Sequence, residues 1–164
     1  MNYLGFDQKK SKKTANELNQ LLACYQIYYQ NLRNFHWNVE GENFFDLHAQ
    51  FEELYTDARI KIDEIAERLL TLRYRPMSDL SNYLEESKIK EAGKVSDDRK
   101  MVTILLENHR ELINCMRNTV SAADEAGDEG TIDMIGGFLS NLEKKSWMLD
   151  AWATRRAKLA TVNG

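Results

Sequence analysis

From Phe44 to Leu69 the chain sets down an apolar or aromatic ring or side chain every three or four positions without a break. The stripe is Phe44, His48, Phe51, Tyr55, Ala58, Ile62, Ile65 and Leu69. That step is the α-helical period, and no strand pattern reproduces it. A helix of this length has one face to bury and cannot bury it alone. A second stripe, Ala15, Leu18, Leu22, Tyr25, Tyr29 and Leu32, precedes it, and one further step of four lands on His36. A third seam includes Met101, Leu105, Leu112 and Met116, and a fourth segment runs from about Asp128 to Thr131 through "MIGGFLSNLEKKSWMLDAWATRRA".

The punctuation agrees with four long helices. Thr14 with Glu17 reads as a capping box for the first, with Ser11 as an earlier alternative. Asn43 can cap the second and Pro76, the only proline, closes it. Ser78 opens a short helix in "SDLSNYLEES", Ser96 caps the third long helix, and Gly127 stops it. The expected fold is all-α: a four-helix bundle with a short helix in the connection between helices two and three. The expected domains are a basic N-terminal arm over 1–13, the bundle over 14–160 and a tail over 161–164.

Composition narrows the function classes. A net charge of −4 gives no global attraction to nucleic acid. No apolar run approaches the roughly 20 residues of a membrane span, and "MNYLGFDQKKSKK" lacks the apolar segment of a secretory leader. Cys24 and Cys115 have neither metal-site nor disulfide-framework spacing and read as reduced thiols of a cytoplasmic protein.

Chemistry concentrates in "NFHWNVEGENFFDLH", where two of the chain's three histidines flank one short turn. An antiparallel hairpin brings His36, in the last turn of helix one, level with His48, near the start of helix two. A histidine on an apolar stripe is ordinarily a hydrogen-bonded core residue, but helix two adds carboxylates on the same flank. At about 100° per residue, His48, Glu52, Asp63 and Glu67 fall at about 0°, 40°, 60° and 100°. Imidazole with carboxylate suits iron, zinc or manganese. His48 and Asp63 are nevertheless about 22 Å apart along one helix. One metal can touch both His48 and Asp63 positions only if two copies pack their second helices antiparallel about a two-fold axis. The alternative makes Asp63 and Glu67 the solvated edge of a surface helix. No Glu-x-x-His pair, the mark of an intrabundle di-iron centre, occurs in the chain.

"HWNVEGENFFDLHAQFEELYTDARIKIDEIAERL", with "DEAGDEGTIDMI" and "EKKSWMLDAW", closely resembles the Dps family, the DNA-binding proteins from starved cells or mini-ferritins. The spacing H-x11-H-x14-D-x3-E carries the resemblance most specifically. It implies a ferritin-like bundle assembled as a hollow dodecamer, with two-iron ferroxidase centres at its two-fold interfaces. His36 and His48 would come from one subunit, and Asp63 and Glu67 from its mate. Glu52 matches a nearby acidic position that is often aspartate in relatives. Trp37 matches the family tryptophan beside the iron, where it takes up a stray oxidising equivalent or packs at a helix end. The implied reaction is oxidation of Fe(II), preferentially by hydrogen peroxide, and storage of ferric mineral, with zinc as a competitor. Asp124, Asp128 and Asp133 fall where the family's three-fold pores admit iron, although Asp128 also suits a helix cap.

"QKKSKK" raises the alternative of a nucleoid-compacting protein. Lys9, Lys10, Lys12 and Lys13, repeated around a shell, would contact DNA phosphates, with Arg155, Arg156 and Lys158 a weaker second cluster. His109 in "ENHREL" has no matching ligand and reads as a bundle-edge or surface residue. A third reading is a purely structural helical oligomer with packed histidines.

Overall fold

Each stripe forms one helix. In the computed structural model, which describes residues 2–162 and side chains through Thr154, the elements are α1 (Gln8–Asn38), α2 (Phe44–Thr71), α3 (Leu80–Glu86), α4 (Asp98–Ala126) and α5 (Glu129–Val162). No strand occurs among the described residues. The side chains of Arg155, Arg156 and Lys158, and the end of the expected tail, lie outside the described residues. The stripe residues Leu18, Leu22, Tyr25, Leu32, Phe51, Ile65, Leu69, Met101, Leu105, Leu112 and Met116 are buried together in one core. Each large apolar side chain taken from water contributes about 1.5–3 kcal/mol, which is what holds the helices against one another.

Several helix ends differ from expectation, each for a local reason. α1 starts at Gln8, because Asp7 accepts hydrogen bonds from the Lys9 and Lys10 amides and caps the helix earlier. Lys9, Lys10, Lys12 and Lys13 therefore stand on the first turns of α1 and not on a free arm. Thr14, the expected cap, is buried and donates to the Ala122 carbonyl of α4 at 3.1 Å. α2 stops at Thr71, well before Pro76. Arg73 takes the left-handed conformation (φ 66°), and the Tyr74 amide returns to the Leu69 carbonyl at 2.9 Å. Asp79 and Asp97, each one residue after the expected serine, occupy the N-cap positions of α3 and α4. Asn43 occupies the N-cap position of α2, but its side chain makes no capping bond there and donates to Asp98 instead. Gly127, with φ 68°, ends α4 as its position predicts, in the conformation where a side chain would be strained.

The topology follows from which residues meet. Thr14 meets Ala122, Cys24 meets Cys115 and Tyr28 meets His109, so α1 and α4 run antiparallel. The short turn 39–43 makes α2 antiparallel to α1 as well. α2 and α4 are then parallel, and no tight turn can join parallel helices. Residues 72–97, carrying α3, run back along the bundle and pack α3 against α1. α5 closes the bundle beside α2, where Lys61 donates to Asn141 and Lys145 pairs with Glu53.

His109 is not at an edge. It is 1% exposed, between Tyr28 and Ser146. Ser146 spends its proton on the Leu142 carbonyl, so it accepts from His109 Nδ1. Tyr28 then donates to the bare Nε2 at 2.8 Å. Burial, with the Lys61 charge behind it, pushes the imidazole down to about 3.

Candidate metal centre

The turn that joins α1 to α2 sets His36 and His48 face to face. Their rings stack with centroids 3.8 Å apart and planes 15° apart. His36 Nδ1 donates to the His48 carbonyl at 2.8 Å, and His48 Nδ1 donates to the His36 carbonyl at 2.7 Å. A carbonyl oxygen only accepts, so both Nδ1 atoms must carry the proton. Each ring is thereby held as the tautomer whose Nε2 lone pair is available, the arrangement usual for metal-binding imidazoles. The exchange also satisfies backbone. His36 lies in the last turn of α1, where carbonyls have no helical partner.

Aromatic neighbours fix the pair. Phe44 stacks on His48 at 4.9 Å, and Tyr55 meets His36 edge-on at 5.3 Å. Tyr55 lies 3.5 Å from Glu52 Oε1, and Tyr29 packs edge-on against Tyr55. Trp37 is 62% exposed, which removes the expectation that it packs in the core of its own chain. The Arg33 guanidinium lies over the rings of both Tyr29 and Trp37. The four-residue steps Tyr29, Arg33 and Trp37 were the unread signal for that ladder.

Glu52, Asp63 and Glu67 are all exposed on α2. Glu52 is one turn from His48, whereas Asp63 and Glu67 stand towards the far end of the helix. Among the described residues, no three His, Cys, Asp or Glu side chains converge to hold a metal ion. Among the described residues the bundle interior holds no such group either. Lys61 is 5% exposed there, bonded to Asp57 and Asn141 and lying over the Phe138 ring. A fixed ammonium at that level repels a metal cation.

At the α4–α5 junction the three aspartates separate into two kinds. Asp124 and Asp133 are exposed. Asp128 is 2% exposed and cannot line a pore. Its carboxylate caps α5 through the Thr131 amide (3.0 Å) and hydroxyl (2.6 Å) and pairs with Arg68 of α2. Arg68 also donates to Thr131 Oγ1 at 2.9 Å and fills the space above Gly130. Sequence reasoning missed Arg68, because its partners are on a distant helix.

A family model described as the ferritin-like domain matches residues 15–158. The chain is 43% identical over 135 residues to the DNA protection during starvation protein of Brevibacillus brevis, covering 82% of this chain and 91% of that protein. It is 40% identical over 151 residues to the protein of the same name from Porphyromonas gingivalis, covering 92% and 95%. A crystal structure of a Dps protein from Vibrio cholerae O1, described as a member of a broad superfamily of ferritin-like diiron-carboxylate proteins, superposes with a TM-score of 0.90. That alignment has 46% identity and covers 93% of this chain and 96% of that one.

Proposed function

The chain belongs to the Dps family of ferritin-like proteins, and on that premise we propose that it oxidises Fe(II) with hydrogen peroxide and stores the ferric product inside a homododecameric shell. The observation that carries this reading is the reciprocal exchange between His36 and His48. It leaves the Nε2 atoms of two stacked imidazoles outside the carbonyl exchange, while the acids suited to the same ion stand about 22 Å away on one helix. A two-fold partner with its α2 antiparallel supplies those acids. Fe(II), the substrate, is held by His36 and His48 of one subunit and by Asp63 and Glu67 of the partner subunit. Glu52 serves a second iron.

The residue types suit the reaction. Neutral imidazole accepts Fe(II), and anionic carboxylates favour the harder Fe(III). Two irons give one electron each to one peroxide, which leaves as two waters after taking up two protons, so no hydroxyl radical is released. Trp37, beside the histidines and under Arg33, is the residue placed to absorb a misdirected oxidising equivalent. Asp124 and Asp133 draw iron towards the shell, and zinc competes for the same nitrogen and oxygen ligands. Anaerobic Fe(II) titration followed by peroxide tests the reading. The expected ratio is one peroxide per two irons, lost in His36→Ala and in Asp63→Ala. Full activity in an isolated monomer on gel filtration would overturn it.

DNA protection by direct binding is the second reading. Its support is the exposure of Lys9, Lys10 and Lys12 on the first turns of α1. Lys13 is engaged with Glu125 at 2.7 Å. The test is a gel shift that is strong at low salt, fades as salt rises, and is lost on replacing these lysines with glutamate.

A further inference from the structure

Cys24 of α1 and Cys115 of α4 are the chain's two cysteines, both buried, with their Sγ atoms 3.7 Å apart. Two small side chains that merely filled a core would need no polar asymmetry. Here the Lys88 amide, in the segment after α3, donates to Cys24 Sγ at 3.4 Å. Among the described residues the Cys115 sulfur has a hydrogen-bonding contact with Cys24 alone. The amide favours negative charge on Cys24, which makes Cys115 the donor of the pair. That hydrogen bond, supported by the Lys88 amide, draws the Cys24 thiol down against burial. The same contact and burial push Cys115 up.

Cys24 is 0% and Cys115 4% exposed, so peroxide reaches the sulfurs only through local opening between α1, α4 and the segment that carries Lys88. A surface cavity of about 350 Å³ is walled by Lys88, whose amide touches Cys24, and by Glu111, one turn before Cys115. His36 lies twelve residues beyond Cys24 on α1, about 18 Å along the helix, so this chemistry is spatially separate from the histidine pair. The sulfurs need to approach by only about 1.7 Å to reach bonding distance.

We propose that Cys24 and Cys115 form a second peroxide-consuming site, a dithiol that reduces hydroperoxides and closes into an intramolecular disulfide between α1 and α4. The Cys24 thiolate attacks one peroxide oxygen and the O–O bond breaks. The departing hydroxide takes up a proton and leaves as water, with Cys24 as the sulfenic acid. Cys115 sulfur then attacks Cys24 sulfur. The S–O bond breaks, and the hydroxyl leaves with the Cys115 proton as a second water. The two sulfurs lose two electrons and the peroxide gains them. A resolving thiol already in contact keeps Cys24 from climbing further up the oxidation ladder. An external thiol restores the pair by exchange.

The test uses the full chain stripped of metal with a chelator, so that iron chemistry is silent and the two peroxide reactions fail or succeed separately. The protein is treated with hydrogen peroxide, alkylated under denaturing conditions and mapped by mass spectrometry without reduction. Both thiols should vanish together, with a cross-link joining positions 24 and 115 that dithiothreitol reverses. In Cys115→Ser, dimedone should trap Cys24 as sulfenic acid. In Cys24→Ser, the remaining thiol should react roughly tenfold more slowly, because it stays protonated. Thiols that survive excess peroxide, sulfinate on one wild-type cysteine without a cross-link, or disulfides between separate chains would each overturn the proposal.

Discussion

His36 and His48 each hand the Nδ1 proton to the other's backbone carbonyl, at 2.8 and 2.7 Å, across a ring stack of 3.8 Å. The exchange ties the end of α1 to the start of α2 and sets both tautomers at once. His36→Ala should therefore cost about 1–2 kcal/mol of stability, from one lost hydrogen bond and the stack. It should also abolish Fe(II) oxidation. Chemical denaturation and stopped-flow oxidation separate the two effects. A variant as stable as the wild type would mean that the exchange contributes nothing to the hairpin.

Arg68 and Asp128 predict a purely structural effect at the other end of α2. Arg68→Met strips a nearly buried carboxylate of its charge partner, which should cost about 3 kcal/mol. Calorimetry should record the lower melting temperature. Unchanged stability would show that the Thr131 bonds alone satisfy Asp128.

The same junction carries the proposed pore residues beside the scaffold residue Asp128. Asp124→Asn with Asp133→Asn should slow iron uptake by roughly tenfold at low ionic strength, with the difference shrinking as salt is added. The fold should be intact, since both residues are exposed. Asp128→Asn should instead lower stability without a salt-dependent uptake defect. Equal uptake by the double variant and the wild type, measured by stopped-flow absorbance, would sink the pore assignment.

His109 makes stability depend on pH in a defined direction. The unfolded imidazole takes up a proton below about 6.5, whereas the folded one resists until about 3. Its contribution is complete above the upper value and is lost as pH falls between the two, at no more than about 1.4 kcal/mol per pH unit. The urea midpoint should fall accordingly from neutral towards about pH 4. His109→Gln should lower the neutral value by about 1–3 kcal/mol and flatten the acid slope. An equally steep slope in the variant would assign it to other groups.

The cap of α1 offers a local check. Asp7→Ala should fray the lysine-bearing turns and cost about 1 kcal/mol, read as loss of amide protection in residues 8–13. Protection unchanged from the wild type would mean that the start of α1 is held by other contacts.

The helices were legible because periodicity is a local property. The stripe of α2 needs only its own residues to declare which side is buried. Gly127 needs only its own backbone freedom to stop α4. The residue types around His36 and His48, and their spacing, were equally plain. Where expectation failed, two local signals competed. Thr14 outweighed Asp7 as the cap of α1, although Asp7 was the one positioned to accept amides. Pro76 outweighed the left-handed turn at Arg73, which has no sequence signature in a non-glycine residue.

The sequence by itself determined the number of helices, the faces they bury and the α1–α2 hairpin, and it supplied the histidines and acids from which the shared site is proposed. The tertiary structure decided what lies across the bundle. His109 met Tyr28 from 81 positions away, Cys24 met Cys115 from 91, and Asp128 met Arg68 from 60. A helix turn repeats every 3.6 residues and so can be read in a short window. A partner on another helix is set by packing angle and register, which depend on every buried side chain at once.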